Sequence, residues 1–215
     1  MKDLVCLHAA ASGPATWDPL RPGLAELGFR LHTPALPGHR GGERLQSYPL
    51  TSFRDEVLRS LDGLARFTLA GHSLGAFVAS TVAAEQPDRI ERLVLEEMPV
   101  PPRDAGDLPP SRRRTALRAL AFLRRKQFDP AMTRDVLAGL RAPQPEWWTG
   151  LASITAPTLI LAGGPRSHLD QSRYALLEQA LPEAKTVTIG VGHRIHSRAP
   201  DRWLSAVAEW LWYPR

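Results

Sequence analysis

Residues 69–77 read LAGHSLGAF and set Ser73 between Gly71 and Gly75. An apolar run ends at the first glycine, and an apolar segment with a helical pattern begins directly after the serine. Small residues two positions before and two after the serine let a strand and a helix approach closely, with the serine in a left-handed backbone conformation. The stretch therefore predicts a strand, a tight turn and a helix that lift the Ser73 hydroxyl clear of a sheet edge.

The rest of the chain alternates short apolar runs with longer segments of helical periodicity. The apolar runs that read as strands are 3–9, 30–36, 67–71, 92–97, 157–163 and 185–191. Helices are predicted near 17–27, 52–64, 74–86, 170–180 and 200–212. Runs that are apolar throughout and separated by helices indicate parallel strands covered on both faces, so we predict a single α/β domain over residues 1–215.

One interval, 98–150, breaks this alternation. It contains two helical stretches, 112–126 and 130–141, and no convincing strand. Prolines at both margins mark a segment that leaves the sheet and returns to it. We therefore predict that residues 98–150 form a small inserted helical cap.

Composition narrows the class of protein. With 43% hydrophobic and 23% charged residues in a chain of 215, the sequence is typical of a globular domain with a real core. The single cysteine, Cys6, excludes a disulfide framework and fits a reducing compartment. No leader-like segment and no apolar run of about 18 residues is seen, so we expect a soluble, cytoplasmic protein without stable membrane insertion.

The chain has a net charge of +5, and the excess of basic residues is concentrated in one stretch. The stretch RRRTALRALAFLRRK, residues 112–126, holds seven of the 27 basic residues and no acid, which leaves 20 basic against 22 acidic residues elsewhere. An exposed, arginine-rich lid face is the ordinary explanation, so we expect no nucleic-acid partner. Attachment to an anionic membrane or to nucleic acid through this stretch is the alternative.

A serine hydroxyl becomes a good nucleophile only when a base takes its proton. Of the seven histidines, His193 in GVGHRIHSRAP (190–200) is placed best, because it lies between the last strand and the last helix. His196 is the competing candidate, although we favour a loop or surface histidine there. We expect His72 to pack away from the serine. No cysteine or carboxylate cluster joins the histidines of this segment locally, so we predict no metal site.

Four motifs in a fixed order resemble the α/β-hydrolase-fold serine hydrolases. They are LHAAASGPATW (7–17), PALPGHRGG (34–42), the turn at Ser73 and the segment that begins at His193. The resemblance covers most of the chain, although the first two strands of the family are missing, and it implies about six mostly parallel strands flanked by helices. It also implies a catalytic triad of serine, acid and histidine that needs no cofactor.

The resemblance further implies an oxyanion hole formed by two backbone N–H groups. One belongs to Leu74, the residue after the nucleophile, and the other to Ala10 in the early loop. Family members usually have a glycine after the histidine of that loop, where this chain has Ala9.

The acid of the triad departs from the usual pattern. The family most often places it after the penultimate strand in a Gly-x-x-Asp spacing, but Arg166 follows Gly163 at that distance and Ser167 follows Gly164. Asp170 lies further along the same segment and is a candidate acid. Its position before a helical stretch suits a residue at a helix N-terminus equally well.

Some relatives, such as the haloalkane dehalogenases, carry the acid at the end of the strand that follows the nucleophile helix. Glu97 stands at the matching place in this chain. Because successive strand residues face opposite ways, Glu96 and Glu97 cannot both address the same histidine. We favour Glu97 as the acid, with Asp170 as the alternative and Glu96 behind both.

These observations predict a cofactor-independent hydrolase of carboxylic esters that forms an acyl-enzyme on Ser73 with His193 as general base. Its expected partner is a small, apolar ester. An acyltransferase, a thioesterase and a hydrolase of carbon–carbon bonds can use the same triad. A ligand-binding protein that keeps the fold with a disabled triad is the non-catalytic alternative.

Overall fold

The computed structural model describes residues 1–108 and 127–211 of the chain. The strands are β1 Lys2–Leu7, β2 Phe29–His32, β3 Phe67–His72, β4 Ile90–Glu96, β5 Thr158–Ala162 and β6 Ala184–Thr188. They form one parallel sheet in the order β2-β1-β3-β4-β5-β6. Each strand overlaps a predicted apolar run, although β2 and β6 end three or more residues before the runs do, and the prediction of a six-stranded α/β sheet is confirmed.

Helices follow the strands along the described part of the chain. They are α1 Arg21–Glu26, α2 Leu50–Ser60, α3 Leu74–Glu85, α4 Pro130–Arg141, α5 Pro145–Gly150, α6 Arg173–Ala180, α7 Ile195–Arg198 and α8 Pro200–Leu211. The predicted helix near 17–27 begins as a 3-10 segment, Pro14–Leu20. Within residues 1–108 and 127–211, no helix has both the length and the apolar character needed to cross a membrane.

The sheet separates two hydrophobic cores because strand residues alternate between its faces. Val5 and Leu7 of β1 belong to the core beneath α2, α3 and α6, whereas Leu4 and Cys6 face α1 and α8. Trp203 of α8 is fully buried in the second core. Both faces are thus covered, which explains why the strands read as nearly continuous apolar runs.

The strand order reverses at β1, since β2 lies on one side of it and β3 on the other. The loops that leave β1 and β3 lead to helices on opposite faces, α1 and α3. A crevice at the carboxyl ends of such strands is where ligands bind in open α/β sheets. The fold therefore brings the loop after β1 and the turn at Ser73 to the usual ligand-binding edge.

The interval 98–150 lies between β4 and β5. Its basic stretch, 112–126, falls outside the described residues, whereas the predicted helix at 130–141 is observed as α4. Trp147 of α5 anchors the returning chain, because its Nε1 donates to Ser80 Oγ at 2.9 Å and its ring stacks on Phe77 at 5.5 Å.

Candidate active site

The turn between β3 and α3 has the predicted strained geometry. Ser73 has φ 54° and ψ −115°, a left-handed conformation that side chains rarely adopt. A Cβ atom at Gly71 would lie 2.2 Å from the carbonyl oxygen of Gly75, and one at Gly75 would lie 2.2 Å from that of Leu7. Both positions therefore require glycine, and the strand, the helix and β1 meet closely around the serine.

The helix N-terminus beside Ser73 is suited to negative charge. The N–H of Leu74, the first residue of α3, has no partner within the helix, and the helix dipole is positive at this end. A Cβ at Gly75 would lie 2.7 Å from the His8 carbonyl oxygen, so the loop that carries Ala10 begins against this terminus. The two predicted oxyanion donors thus belong to neighbouring segments.

The loop after β1 is pinned by a neutral histidine. Because the N–H of Leu36 donates to His8 Nε2 at 3.2 Å, the proton of His8 sits on Nδ1, which donates to the carbonyl of Ala9 at 2.9 Å. Burial, together with His39 beside it, lowers the pKa of His8 to about 3. The loop turns at Ala11, where φ is 60°.

Glu97 is fully buried and lies one residue beyond β4 with φ 48°. Its carboxylate accepts hydrogen bonds from His193 Nδ1 at 3.1 Å, Gly163 N at 2.5 Å, Gln171 Nε2 at 3.1 Å and the Ser167 hydroxyl. Burial alone would raise the pKa of Glu97, but these hydrogen bonds, with that of His193 foremost, hold the pKa below its ordinary value. The site therefore contains an ionised carboxylate aimed at an imidazole.

His193 lies in the loop after β6, and its side chain is 21% exposed. The N–H of Gly192 donates to the carbonyl of Gly163 at 2.9 Å, which joins the loops after β5 and β6. His72 Nε2 donates to the carbonyl of His193 at 2.5 Å. Since His72 directly precedes Ser73, this contact holds the His193 backbone beside the serine turn.

The structure brings His193 and Glu97 into direct contact and places both next to the Ser73 turn. Among the described residues, no hydrogen bond links the Ser73 hydroxyl to His193. The hydrogen bond between a nucleophile and its base is often long in the absence of substrate, and it shortens in the reacting complex.

The alternative acid lies elsewhere. Asp170 is exposed, and its Oδ1 accepts from Ser172 N at 3.1 Å and from Ser172 Oγ at 2.6 Å. Glu96 is buried and bonds His196 Nδ1 at 2.8 Å. The two adjacent glutamates thus face two different histidines, as strand alternation requires.

One expectation about a histidine was wrong. His196 is not a surface residue: it is 0% exposed, because α7 turns it toward Glu96 and the ring of Trp17 at 4.2 Å. His72 is buried and packs against other rings, and it also donates a hydrogen bond to the His193 backbone.

Sequence reasoning missed Ser167 and Gln171 as partners of Glu97. The signal at Ser167 was its spacing, because it stands three residues after Gly164, where the Gly-x-x-Asp pattern places an acid. Gln171 carries no local signal of its role.

One cluster in the described residues has the donor types of a metal site. His72, Glu96 and His196 each offer one ligand atom, and these atoms lie within 4.8 Å of one another. His196 Nδ1 and Glu96 already bond each other at 2.8 Å, and His72 Nε2 donates to the carbonyl of His193, whereas His72 Nδ1 is buried without a hydrogen-bond partner among the described residues.

These features define an α/β protein with a strained serine and a histidine–carboxylate pair at one sheet edge. The sequence profile of the alpha/beta hydrolase family matches residues 4–207, and the chain belongs to this family.

Relatives of known name cover parts of the chain. It is 42% identical over 93 residues to the pimeloyl-[acyl-carrier protein] methyl ester esterase of Aromatoleum aromaticum, a match that covers 43% of this chain and 36% of that esterase. It is 25% identical over 189 residues to the mouse sn-1-specific diacylglycerol lipase ABHD11, covering 69% of this chain and 60% of that lipase. The chain thus matches less than two thirds of the length of these relatives.

The enol-lactonase from Burkholderia xenovorans LB400 has the same fold, with a TM-score of 0.80 at 20% identity over 98% of this chain and 91% of that one.

Proposed function

We propose that the chain is a serine hydrolase that cleaves carboxylic esters without a cofactor. The observation that carries the proposal is the hydrogen bond of 3.1 Å between His193 Nδ1 and the buried carboxylate of Glu97, beside the strained turn of Ser73. A carboxylate on Nδ1 fixes the imidazole tautomer, so that Nε2 is free to take the proton of a serine.

In the proposed reaction, Ser73 Oγ attacks the ester carbonyl while its proton passes to His193 Nε2. The N–H groups of Leu74 and Ala10 hold the oxyanion, and Glu97 stabilises the imidazolium. The C–O bond to the alcohol breaks as His193 returns the proton to the leaving oxygen. Water, deprotonated by His193, then attacks the acyl-enzyme and releases the acid and the free serine.

We also propose that residues 98–150 act as a cap over this edge of the sheet. A short cap leaves room for a small, apolar acyl group. The anchoring of Trp147 on Ser80 supports a return of this segment close to the nucleophile helix.

The test is a panel of nitrophenyl esters and thioesters of increasing acyl length. We expect ester hydrolysis with an initial burst of nitrophenol as the acyl-enzyme forms, and none above background in Ser73→Ala. Faster thioester cleavage would favour the thioesterase alternative, and product transferred to an added alcohol would favour an acyltransferase. No Ser73-dependent turnover of any of these would favour the ligand-binding alternative.

A second candidate substrate is an ester carried on an acyl carrier protein. Two observations favour it: the activity for which the relative from Aromatoleum aromaticum is named, and the seven basic residues without an acid in 112–126. A basic segment attracts an acidic carrier at low salt. Hydrolysis of a carrier-bound methyl ester that slows with added salt, and that slows when arginines of 112–126 are neutralised, would support this substrate over a free ester.

A further inference from the structure

A second carboxylate–imidazole pair is formed by residues close to the first in the chain. We call Glu97 and His193 the outer pair, and Glu96 and His196 the inner pair. In the inner pair both side chains are 0% exposed, and His196 Nδ1 lies 2.8 and 2.9 Å from the two carboxylate oxygens of Glu96. The proposed reaction uses neither residue.

The inner carboxylate holds the backbone of the segment that carries His193. Glu96 Oε1 accepts from the N–H of Ile195 at 2.7 Å and from that of His196 at 3.2 Å. These groups begin α7, two and three residues after His193. One buried carboxylate at the end of β4 thus fixes where α7 starts.

The opposite side of the segment is held as well. His72 Nε2 donates to the carbonyl of His193 at 2.5 Å, and burial lowers the pKa of His72 to about 3, so this donor stays neutral. Beyond the inner pair, His196 Nε2 lies 2.8 Å from Thr16 Oγ1, and the Trp17 ring covers the imidazole. The segment 193–196 is therefore tied to the ends of β3 and β4 and to the 3-10 segment Pro14–Leu20.

Stability alone explains this arrangement poorly. Burying an ionised carboxylate carries a large desolvation cost, and well-packed apolar residues often stabilise a core as well or better. Burial would raise the pKa of Glu96, yet the electrostatic attraction of His196 and the hydrogen bonds from its side chain and backbone hold the pKa below its ordinary value. An ionised group kept at this position instead gives a fixed, directional anchor.

A metal ion is a weaker account of the same residues. Glu96 already accepts three N–H groups, from Ile195, from the His196 backbone and from His196 Nδ1. A cation between Glu96 and His196 would have to remove the Nδ1 proton and break the contact of 2.8 Å.

We propose that Glu96 and His196 are positioning residues that hold His193 in line with Ser73 and Glu97. The inference rests on the proposed function for its catalytic consequence. Loss of the inner pair should leave substrate binding intact and disorder the general base, so that kcat falls while KM stays unchanged.

The test compares Glu96→Gln with Thr158→Val. The glutamine keeps an oxygen that accepts from the backbone of α7 but loses the charge. Thr158→Val removes a buried hydrogen bond of the same exposure, to the carbonyl of Ala156, at the amino end of β5 and away from His193. For Glu96→Gln we expect kcat for a nitrophenyl ester to fall about ten- to a hundredfold, as for other residues that orient a catalytic group. Thr158→Val should change kcat less than about twofold.

A second readout is the proton NMR signal of His193 Nδ1–H, which we expect the hydrogen bond to Glu97 to shift far downfield. We expect one sharp signal in the wild type and in Thr158→Val, and a broadened or lost signal in Glu96→Gln. If Glu96→Gln does not fold, His196→Gln, which keeps an amide donor toward Glu96, takes its place with the same expectations.

A folded inner-pair variant with wild-type kcat and a sharp His193 signal would overturn the proposal, as would an equal loss of kcat in Thr158→Val. If the wild type lacks Ser73-dependent turnover, the proposed function fails, and the NMR signal alone decides whether the inner pair positions His193.

Discussion

Glu96 and Glu97 are neighbours in the chain, yet they form carboxylate–imidazole pairs with opposite surroundings. In the outer pair, the side chain of His193 is 21% exposed and lies beside the serine turn. In the inner pair, the side chain of His196 is 0% exposed, and its Nε2 contacts Thr16 Oγ1. Strand alternation sends Glu96 toward the core of α8, and the left-handed φ of 48° at Glu97 starts the loop on the other side. In the outer pair, which solvent and the nucleophile can reach, a carboxylate and an imidazole thus serve the proposed chemistry. In the buried inner pair, the same two side-chain types support the backbone.

The comparison predicts the largest effect when Glu97, the acid of the outer pair, is neutralised. We expect Glu97→Gln to lower kcat/KM for esters about 10³- to 10⁴-fold, because the imidazolium loses its carboxylate and the tautomer is no longer fixed. Steady-state kinetics measure the change. The matched control is Asp170→Asn, the same carboxyl-to-amide exchange at an exposed residue, which should stay within about twofold of the wild type. A large loss in Asp170→Asn with a mild one in Glu97→Gln would move the acid to Asp170.

The outer acid can also be moved. Ser167 occupies the place of the Gly-x-x-Asp acid, and its hydroxyl bonds the same oxygen of Glu97, Oε2, that lies 3.1 Å from His193. We expect Glu97→Ala with Ser167→Asp to be about tenfold more active than Glu97→Ala alone, a gain of about 1.4 kcal/mol from the second substitution.

Ser167→Asp alone should lower the thermal midpoint, because it sets a second carboxylate against Glu97. A full double-mutant cycle checks both points. Additive losses would show that an acid at 167 cannot serve His193.

The dependence of stability on acid pH tests the role of His72, which links the two pairs. The folded-state pKa of about 3 lies below the ordinary value of 6.5, so between these values the unfolded chain binds a proton that the folded chain does not. Stability therefore falls as pH drops below 6.5, by about 1.4 kcal/mol per pH unit for this residue.

His8, with the same folded-state pKa of about 3, adds to the fall. Urea unfolding at several pH values should show a slope that is smaller by that amount in His72→Gln, whose amide still donates to the His193 carbonyl. An unchanged slope would show that His72 is not held neutral in the fold.

Much of the fold was predictable because its signals are local. Strand burial dictates the apolar runs, and the close approach of the backbone dictates the glycines around Ser73. The alternation of strand side chains was enough to predict that Glu96 and Glu97 do not address the same histidine. His196 was not predictable: the segment HRIHSR, residues 193–198, carries polar neighbours and is too short for periodicity, and the partners that bury it, Glu96 and Trp17, are far away in the chain. Ser167 and Gln171 likewise gain their roles only when the loop after β5 folds over Glu97.

The most direct measurement of the central claim is the rate at which a fluorophosphonate labels Ser73. The probe forms a bond from phosphorus to Ser73 Oγ as fluoride leaves, and His193 takes the serine proton. We expect wild-type protein to be labelled on the peptide that contains Ser73, Ser73→Ala not to be labelled, and His193→Gln to react at least about 10³-fold more slowly. Absence of labelling in the wild type, or an unchanged rate in His193→Gln, would contradict the account.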